Sequence, residues 1–490
     1  MRSCSSERNQ EARLVSMDQQ QHHQKLDLNV LKKAPVVMVM VPFPAQGHLN
    51  QFLHFSRLIS AFGIPVHYVG SATHNHQAKH RVHGWDPLTI SNIHFHDFPI
   101  PPFVTPQPNP HTPNRLPVDF QPVFEASSKL REPLLAFLRS LSPTTRRIVI
   151  VHDSLMAFTA QDATSLPNAE AYTLNVTSTF ALFTYIWEFI GKPTMPKTVI
   201  PNDISYEGCF ADEIKSLIAS QFDFSKFDSG DLYNTCRPIE GKFIDLLGQK
   251  QFSLNKRKWA VGPLNPVVLS GSRNSNRRHE CLEWLDKQAP RSVLYISFGT
   301  TTSMPDDQII ELAMGLERSN QRFIWVLRDA AHRGDIYAGE EARKAQLPNG
   351  YEEKIEGVGL IVREWAPQLE ILAHPSTGGF LSHCGWNSCI ESISMGVSIV
   401  AWPMHSDQPR NTTLVTEVLR IGVIVREWAQ RDELVSSAMI ENAINKLMAS
   451  EEGEGMKRRA EELGGAVRES MSEGGTSRVE LESFIAHITR

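Results

Sequence analysis

WAPQLEILAHPSTGGFLSHCGWNSCIESISMGVSIVAWPMHSDQ, residues 365–408, holds two short apolar runs, Gly379–Leu381 and Val397–Trp402. Both have the length of buried strands, and each is followed by a polar turn and a new helix. Strand, turn, helix, strand is the repeating unit of a parallel sheet with helices on both faces. Ligands of such sheets bind outside the carboxyl ends of the strands, and the polar residues of this stretch gather there.

His383-Cys384-Gly385-Trp386-Asn387-Ser388 follows the first run and opens a helix. Free amides at a helix start suit an anion, and Gly385 allows close approach. Ser388 adds a hydroxyl and His383 a further donor. Glu391 lies four residues beyond Asn387, on the same helix face, where a carboxylate can accept from ribose hydroxyls. On spacing alone, a capped helix with a core tryptophan is an equal alternative. Asp407-Gln408 follows the second run. By itself Asp407 reads more simply as an N-cap, although two adjacent polar side chains there also suit a polyhydroxyl ligand.

The same alternation extends outward in both directions. Val293–Ile296 is a strand candidate followed by Ser297-Phe298-Gly299-Thr300. Ser303 then reads as an N-cap, with Pro305 early in the helix and Asp306 and Asp307 in its first turn. Phe323–Leu327 and Val358–Val362 are further strand candidates. In the first half, Val36–Val41 is a β-branched strand, Pro42–Gly47 a loop, and Leu49, Phe52, Leu53 and Ile59 recur at helical spacing. Ile148–Val151 is another strand, ending at His152-Asp153. Between the halves, Leu269–Arg278 is rich in Ser, Arg and Asn and reads as an exposed linker. The expectation is an α/β protein of two doubly wound domains with a site in the cleft between them.

His48 opens the first long helix, and the positive helix end disfavours its imidazolium form. Asp153 ends a second strand of the same half and, if in reach, would fix the tautomer of His48. From these residues alone the dyad is a minority reading. His74, His76, His80, His83, His94 and His96 crowd one stretch, but no matched Cys or carboxylate pattern makes them a metal site.

Composition narrows the classes further. The chain has 490 residues, 41% hydrophobic and 21% charged, with a net charge of −5. Two or three domains fit that length. No basic stretch provides the footprint of a nucleic-acid partner. The six cysteines are scattered without Cys-x-x-Cys, which suits free thiols in a reducing, cytoplasmic setting. The longest apolar run, Ala34–Ala45, falls short of the ~18 residues of a membrane helix. Met1–Lys33 is polar, lacks a signal-peptide core and reads as a disordered extension, with Met17 as an alternative start. There is no Asp-x-Asp, no Gly-x-x-x-x-Gly-Lys-Ser/Thr loop and no Gly-x-Gly-x-x-Gly.

From Trp365-Ala366-Pro367-Gln368 to Ser406-Asp407-Gln408, the 44-residue stretch resembles the box of plant UDP-dependent secondary-product glycosyltransferases. His374-Pro375, Gly378-Gly379-Phe380, His383 to Ser388 and Glu391-Ser392 all match it. Pro42–His48, the strand ending in Asp153, Trp259–Leu264 and Ser297-Phe298-Gly299 extend the resemblance. It implies GT-B architecture, two Rossmann-like domains facing across a cleft. The implied boundaries are an extension at 1–33, an acceptor domain at 34–255, a UDP-sugar domain at 256–470, and a helix at 471–490 folding back onto the first domain.

The resemblance also implies roles. Trp365 stacks on uracil and Gln368 binds its edge. Glu391 holds the ribose. His383, Asn387, Ser388 and Thr300 hold the phosphates. Trp386, Asp407 and Gln408 hold the sugar, and Gln at the end of the box points to UDP-glucose as co-substrate. His48 is the general base and Asp153 its partner in an inverting transfer that needs no cofactor or metal. Within the family, Pro42–Gln51, Tyr68–His76, Phe95–Phe103 and His152–Met156 resemble zeatin O-glycosyltransferases. The implied acceptor is therefore zeatin, with an isoflavone or other phenol as the alternative acceptor and UDP-xylose as the rival donor. A non-catalytic UDP-sugar-binding protein and a sugar-nucleotide epimerase are the competing classes. The expected partners are small molecules, with no nucleic acid and no integral membrane segment.

Overall fold

A computed structural model of the chain describes residues 34–82, 84–101, 121–196, 199–201, 206–249, 252, 256–269, 278–300, 302, 304–327 and 345–490. The extension 1–33, Cys4, His83, Ser303 and most of the 269–278 segment lie outside the described residues.

Two all-parallel sheets form the frame. The first contains β1 (Ala34–Val41), β2 (Val66–Gly70), β3 (Ile93–Asp97), β4 (Thr145–Asp153), β5 (Ala169–Asn175), β6 (Gly230–Tyr233) and β7 (Arg257–Ala260). Their spatial order is β3-β2-β1-β4-β5-β6-β7. The second contains β8 (Val293–Ser297), β9 (Arg322–Val326), β10 (Gly359–Val362), β11 (Thr377–Ser382), β12 (Ile399–Ala401) and β13 (Gly422–Ile424), in the order β10-β9-β8-β11-β12-β13.

The apolar runs of the sequence become strands because both faces of each sheet are covered. Met38 and Met40 pack with Leu49, Phe52 and Phe55 of the helix Gln46–Ser60. Val37, Val39 and Val41 face the opposite layer with Leu134, Leu138 and Ala160. The second sheet divides in the same way, with Leu294 and Ile296 on one face and Val293 and Tyr295 on the other. Single-residue alternation therefore assigns each side chain to one of two helical layers.

Strand order reverses at one place in each sheet, between β1 and β4 and between β8 and β11. At the first, Val41 pairs with His152. At the second, Ser297 pairs with Ser382. Crevices open at such switch points, and here the two face one another.

Three details differ from the sequence reading. The first sheet runs past residue 255, because Arg257–Ala260 pairs with β6 and buries Trp259 in the first core. The helix after β8 begins at Asp306, so Pro305 is its N-cap rather than an early helical residue. β4 begins at Thr145 and ends at Asp153, longer than its apolar run. The helix Thr476–Thr489 lies against the first sheet, with Phe484 within 6.2 Å of the rings of Phe55, Tyr172 and Trp259. Among the described residues, no helix is long and apolar enough to cross a membrane. Cys209, Cys236, Cys281, Cys384 and Cys389 are buried free thiols.

Candidate active site

The two switch points open into one cleft of about 390 Å³. Every candidate residue lines it except Asp153, which sits behind His48.

On the first-domain side, the loop after β1 delivers His48 into the first turn of the helix Gln46–Ser60. Asp153 ends β4, the neighbouring strand, so residues 105 apart in sequence meet. His48 Nδ1 lies 2.6 Å from Asp153 Oδ2. Asp153 is fully buried, and its Oδ1 accepts the Leu155 N–H at 2.9 Å. With Nδ1–H given to the carboxylate, Nε2 is the ring atom left to take a proton. The Phe43 ring meets the imidazole edge-on at 5.3 Å and limits its rotation.

The helix end does not decide the charge of this histidine. Burial opposes the imidazolium, but the charge and hydrogen bond of Asp153, with a further contribution from Asp407, outweigh it. The His48 pKa stands above the ordinary histidine value. This corrects the expectation that the helix terminus sets the protonation state.

On the second-domain side, β11 runs into Ser382-His383-Cys384-Gly385, and the helix Trp386–Met395 begins there. Gly299, in a left-handed turn at φ 72° after β8, places its Cα against the His383 ring. A Cβ on Gly299 or on Gly385 would come within 2.6 Å of His383 Nε2. Both glycines are needed so that the imidazole fits between the two loops. Thr300 continues the first of these loops along the cleft wall.

Deeper in the cleft, Gln368 Nε2 donates to Glu391 Oε2 at 2.8 Å and to Ser388 Oγ at 3.1 Å. Burial pushes the Glu391 carboxyl up to about 7, against the Gln368 hydrogen bond. Trp365 is half-buried at this end, with the Arg81 guanidinium of the first domain 5.4 Å from its ring centre. Asp407 and Gln408 also line the cleft. Gln408 Oε1 accepts from the N–H groups of Met404 and His405, and its amide nitrogen lies 3.2 Å from His405 Nδ1, so one amide N–H remains to offer a ligand. Asp407 Oδ2 accepts from the Thr177 hydroxyl at 2.8 Å and from Asn411 at 3.0 Å.

Several side chains do something the sequence did not signal. The Trp386 indole N–H donates to the Asn234 carbonyl at 2.8 Å, and its ring joins a core shared with Phe180, Phe183 and Tyr233 of the first domain. Its side chain joins the domains, so its polar group is not available to a sugar. Asn387 Nδ2 donates to the Gly47 carbonyl at 2.6 Å, tying this helix to the residue before His48. Arg410 is buried between the rings of Tyr185 and Tyr206, at 3.9 and 4.0 Å, and pairs with Glu188. Nothing local in the sequence marks these contacts, since each partner is more than 150 residues away. Phe43, Leu155, Val176, Phe210, Ile214 and Ile218 form an apolar stretch of the wall, with polar Gln46, Asn50, Gln51, Ser154 and Thr177 also lining the cleft.

The crowded histidines separate into unlike settings. His74 is buried against Ser71, His76 stacks on His80 at 4.0 Å, and His94 and His96 group with His67 on the outer strands. Among the described residues, no group of three or more His, Cys, Asp or Glu forms a metal-ligand set.

A histidine–carboxylate pair facing the start of a helix across one cleft suits a group transfer from a phosphate-linked donor. Comparison with known proteins agrees. Zeatin O-glucosyltransferase of Phaseolus lunatus is 53% identical over 464 residues, 95% of this chain and 99% of that one. Zeatin O-xylosyltransferase of Phaseolus vulgaris is 51% identical over 455 residues, 93% and 98% of the respective chains. A UDP-glucosyltransferase from Polygonum tinctorium capable of glucosylating indoxyl, solved with 3,4-dichloroaniline, superposes with a TM-score of 0.74 at 25% identity. The match covers 94% of this chain and 99% of that structure. The family model for a glycosyltransferase N-terminal domain matches residues 34–266, which takes in all of the first sheet. A second, described as UDP-glucoronosyl and UDP-glucosyl transferase, matches residues 169–456 and so spans both sides of the cleft. The chain belongs to the UDP-glucoronosyl and UDP-glucosyl transferase family, with the two-domain GT-B fold of its solved members.

Proposed function

We propose that this protein transfers glucose from UDP-glucose to the side-chain hydroxyl of zeatin, with inversion at the anomeric carbon. The observation that carries the reading is the 2.6 Å His48–Asp153 contact opposite the Trp386–Met395 helix end in one cleft. His48 Nε2 takes the acceptor hydroxyl proton as the oxygen attacks the anomeric carbon from the face opposite UDP. Asp153 balances the imidazolium that forms. The bond from the anomeric carbon to the diphosphate oxygen breaks. Its charge meets helix-end amides, His383, Ser388 and Thr300. Trp365 and Gln368 take the uracil, Glu391 the ribose, and Asp407 and Gln408 the sugar hydroxyls. Asn387 lines the phosphate region while its amide holds Gly47.

The acceptor follows from chemistry and likeness together. An aliphatic alcohol is far less acidic than a phenol, whose pKa is about 10 as in tyrosine, and so depends more on a competent base. The apolar wall from Phe43 to Ile218 suits a flat ring with an isoprenoid arm. The relatives in Phaseolus act on zeatin by name, one as a glucosyltransferase and one as a xylosyltransferase. UDP-xylose is therefore the second reading for the donor. Buried unpaired thiols suit a cytoplasmic setting.

Incubation with UDP-glucose and equal amounts of trans-zeatin, cis-zeatin and several isoflavones, with products identified by mass, tests the acceptor. Conversion of phenols with both zeatins untouched overturns it. A higher kcat/KM with UDP-xylose than with UDP-glucose overturns the donor assignment.

A further inference from the structure

His152 precedes Asp153 on β4 and takes no part in the transfer described above. Its ring is fully buried. Nδ1 lies 2.9 Å from the backbone carbonyl of Asp153, and Nε2 lies 2.7 Å from Oδ1 of Asp228. A carbonyl and an ionised carboxylate both only accept hydrogen bonds. A neutral imidazole donates from one nitrogen alone, which would leave the other lone pair facing an oxygen.

A protonated Asp228 would relieve that conflict, but its surroundings favour the anion. Its Oδ2 accepts the Thr173 hydroxyl at 2.7 Å and faces the Lys256 ammonium at 3.4 Å. Burial alone would raise the Asp228 carboxyl, yet His152, Lys256 and Thr173 hold it below the usual carboxylate range. Asp231 lies on the far side of Lys256, at 3.8 Å. The arrangement needs protons on both nitrogens of His152.

We propose that His152 is a buried imidazolium which positions Asp153 and sets the pH at which His48 becomes a competent base. Its Nδ1–H fixes the Asp153 peptide, the Leu155 N–H fixes one carboxylate oxygen, and the other oxygen meets His48. Its charge acts on the same carboxylate that stabilises protonated His48. A cation there opposes a second positive charge on His48. Asp153 and Asp407 are the anions that act on His48, while Asp228 and Asp153 act on His152, so the two rings share Asp153. His152 is a positioning residue, since it reaches the reaction only through Asp153.

The charge can be read directly. In ¹⁵N-histidine NMR of the full chain, with His152→Gln used for assignment, both His152 ring nitrogens are expected to be protonated from pH 6 to 9. Asp228→Asn removes the counter-charge but still donates to or accepts from a neutral ring. With UDP-glucose and trans-zeatin saturating, the acid limb of kcat is expected to move up by about half a pH unit or more. KM for UDP-glucose stays unchanged. The uncharged pair His152→Gln/Asp228→Asn gives the same shift if either single variant folds poorly. An unprotonated ring nitrogen at pH 7, or kcat profiles that superimpose on wild type while Tm falls, overturns the proposal. It rests on His48 as the base. Full turnover in His48→Ala removes that reading and the coupling with it, whereas the NMR decides the charge on His152 independently.

Discussion

At the β1/β4 switch point, His48 stands half-buried beside a carboxylate; at the β8/β11 switch point, Glu391 stands half-buried beside an amide. Burial disfavours the charged form of both groups. For His48 the neighbouring Asp153 overrides burial and its pKa rises. For Glu391 the Gln368 amide does not override burial, and its carboxyl rises to about 7. The directions agree while the causes are opposed. In the proposed reaction the first region accepts a proton, and the second offers its carboxylate to the ribose hydroxyls.

The largest expected effect tests the first region. His48→Ala should lower kcat by roughly 10²–10⁴-fold, the range for losing a general base. KM for UDP-glucose should barely move, because the donor side of the cleft is untouched. Steady-state kinetics with varied donor separates the two, and wild-type-like turnover would break the comparison on its catalytic side.

Asp153→Asn comes next, with kcat lower by about 10²-fold, since the tautomer and the stabilisation of the imidazolium are both lost. The direction of the accompanying pH shift follows from the cause. Asp153 raises the His48 pKa, so its neutralisation should move the acid limb of kcat to lower pH. An unmoved limb would show that burial, not the carboxylate, governs His48.

A smaller effect belongs to the second region. Below pH 7 Glu391 carries a proton and loses an acceptor for the ribose. KM for UDP-glucose should rise by roughly tenfold between pH 8 and pH 6. Glu391→Gln should give a higher but pH-independent KM. A flat wild-type profile would mean that the carboxyl is ionised throughout and that the two regions respond alike.

The smallest effect lies where the regions touch. Thr177→Val removes the hydroxyl that reaches Asp407 from the first domain. KM for UDP-glucose is expected to rise about threefold, the equivalent of one ordinary hydrogen bond. Comparison of donor KM in the two proteins measures how far the first domain helps to hold the donor.

The two regions were also unequally legible. The donor side lies in one 44-residue stretch, so Gln368, His383, Ser388, Glu391, Asp407 and Gln408 appear together in the sequence and again in the cleft. Apart from the family resemblance, the dyad was legible only as two strand ends, because the 105 positions separating His48 from Asp153 carry no record of which strands become neighbours. Trp386 misleads in the opposite sense. It stands in the donor stretch, yet its indole N–H serves Asn234 of the first domain.

The sequence by itself determined the strands, the two parallel sheets and the composition of the donor wall. Those follow from apolar runs, glycines and caps acting over a few residues, where sequence neighbours are also spatial neighbours. Tertiary structure alone decided which distant groups meet. It set His48 on Asp153, His152 between Asp153 and Asp228, Asn387 on Gly47, and Arg410 between Tyr185 and Tyr206. Electrostatic coupling depends on distance and burial across strands and domains, and neither is a property of chain separation.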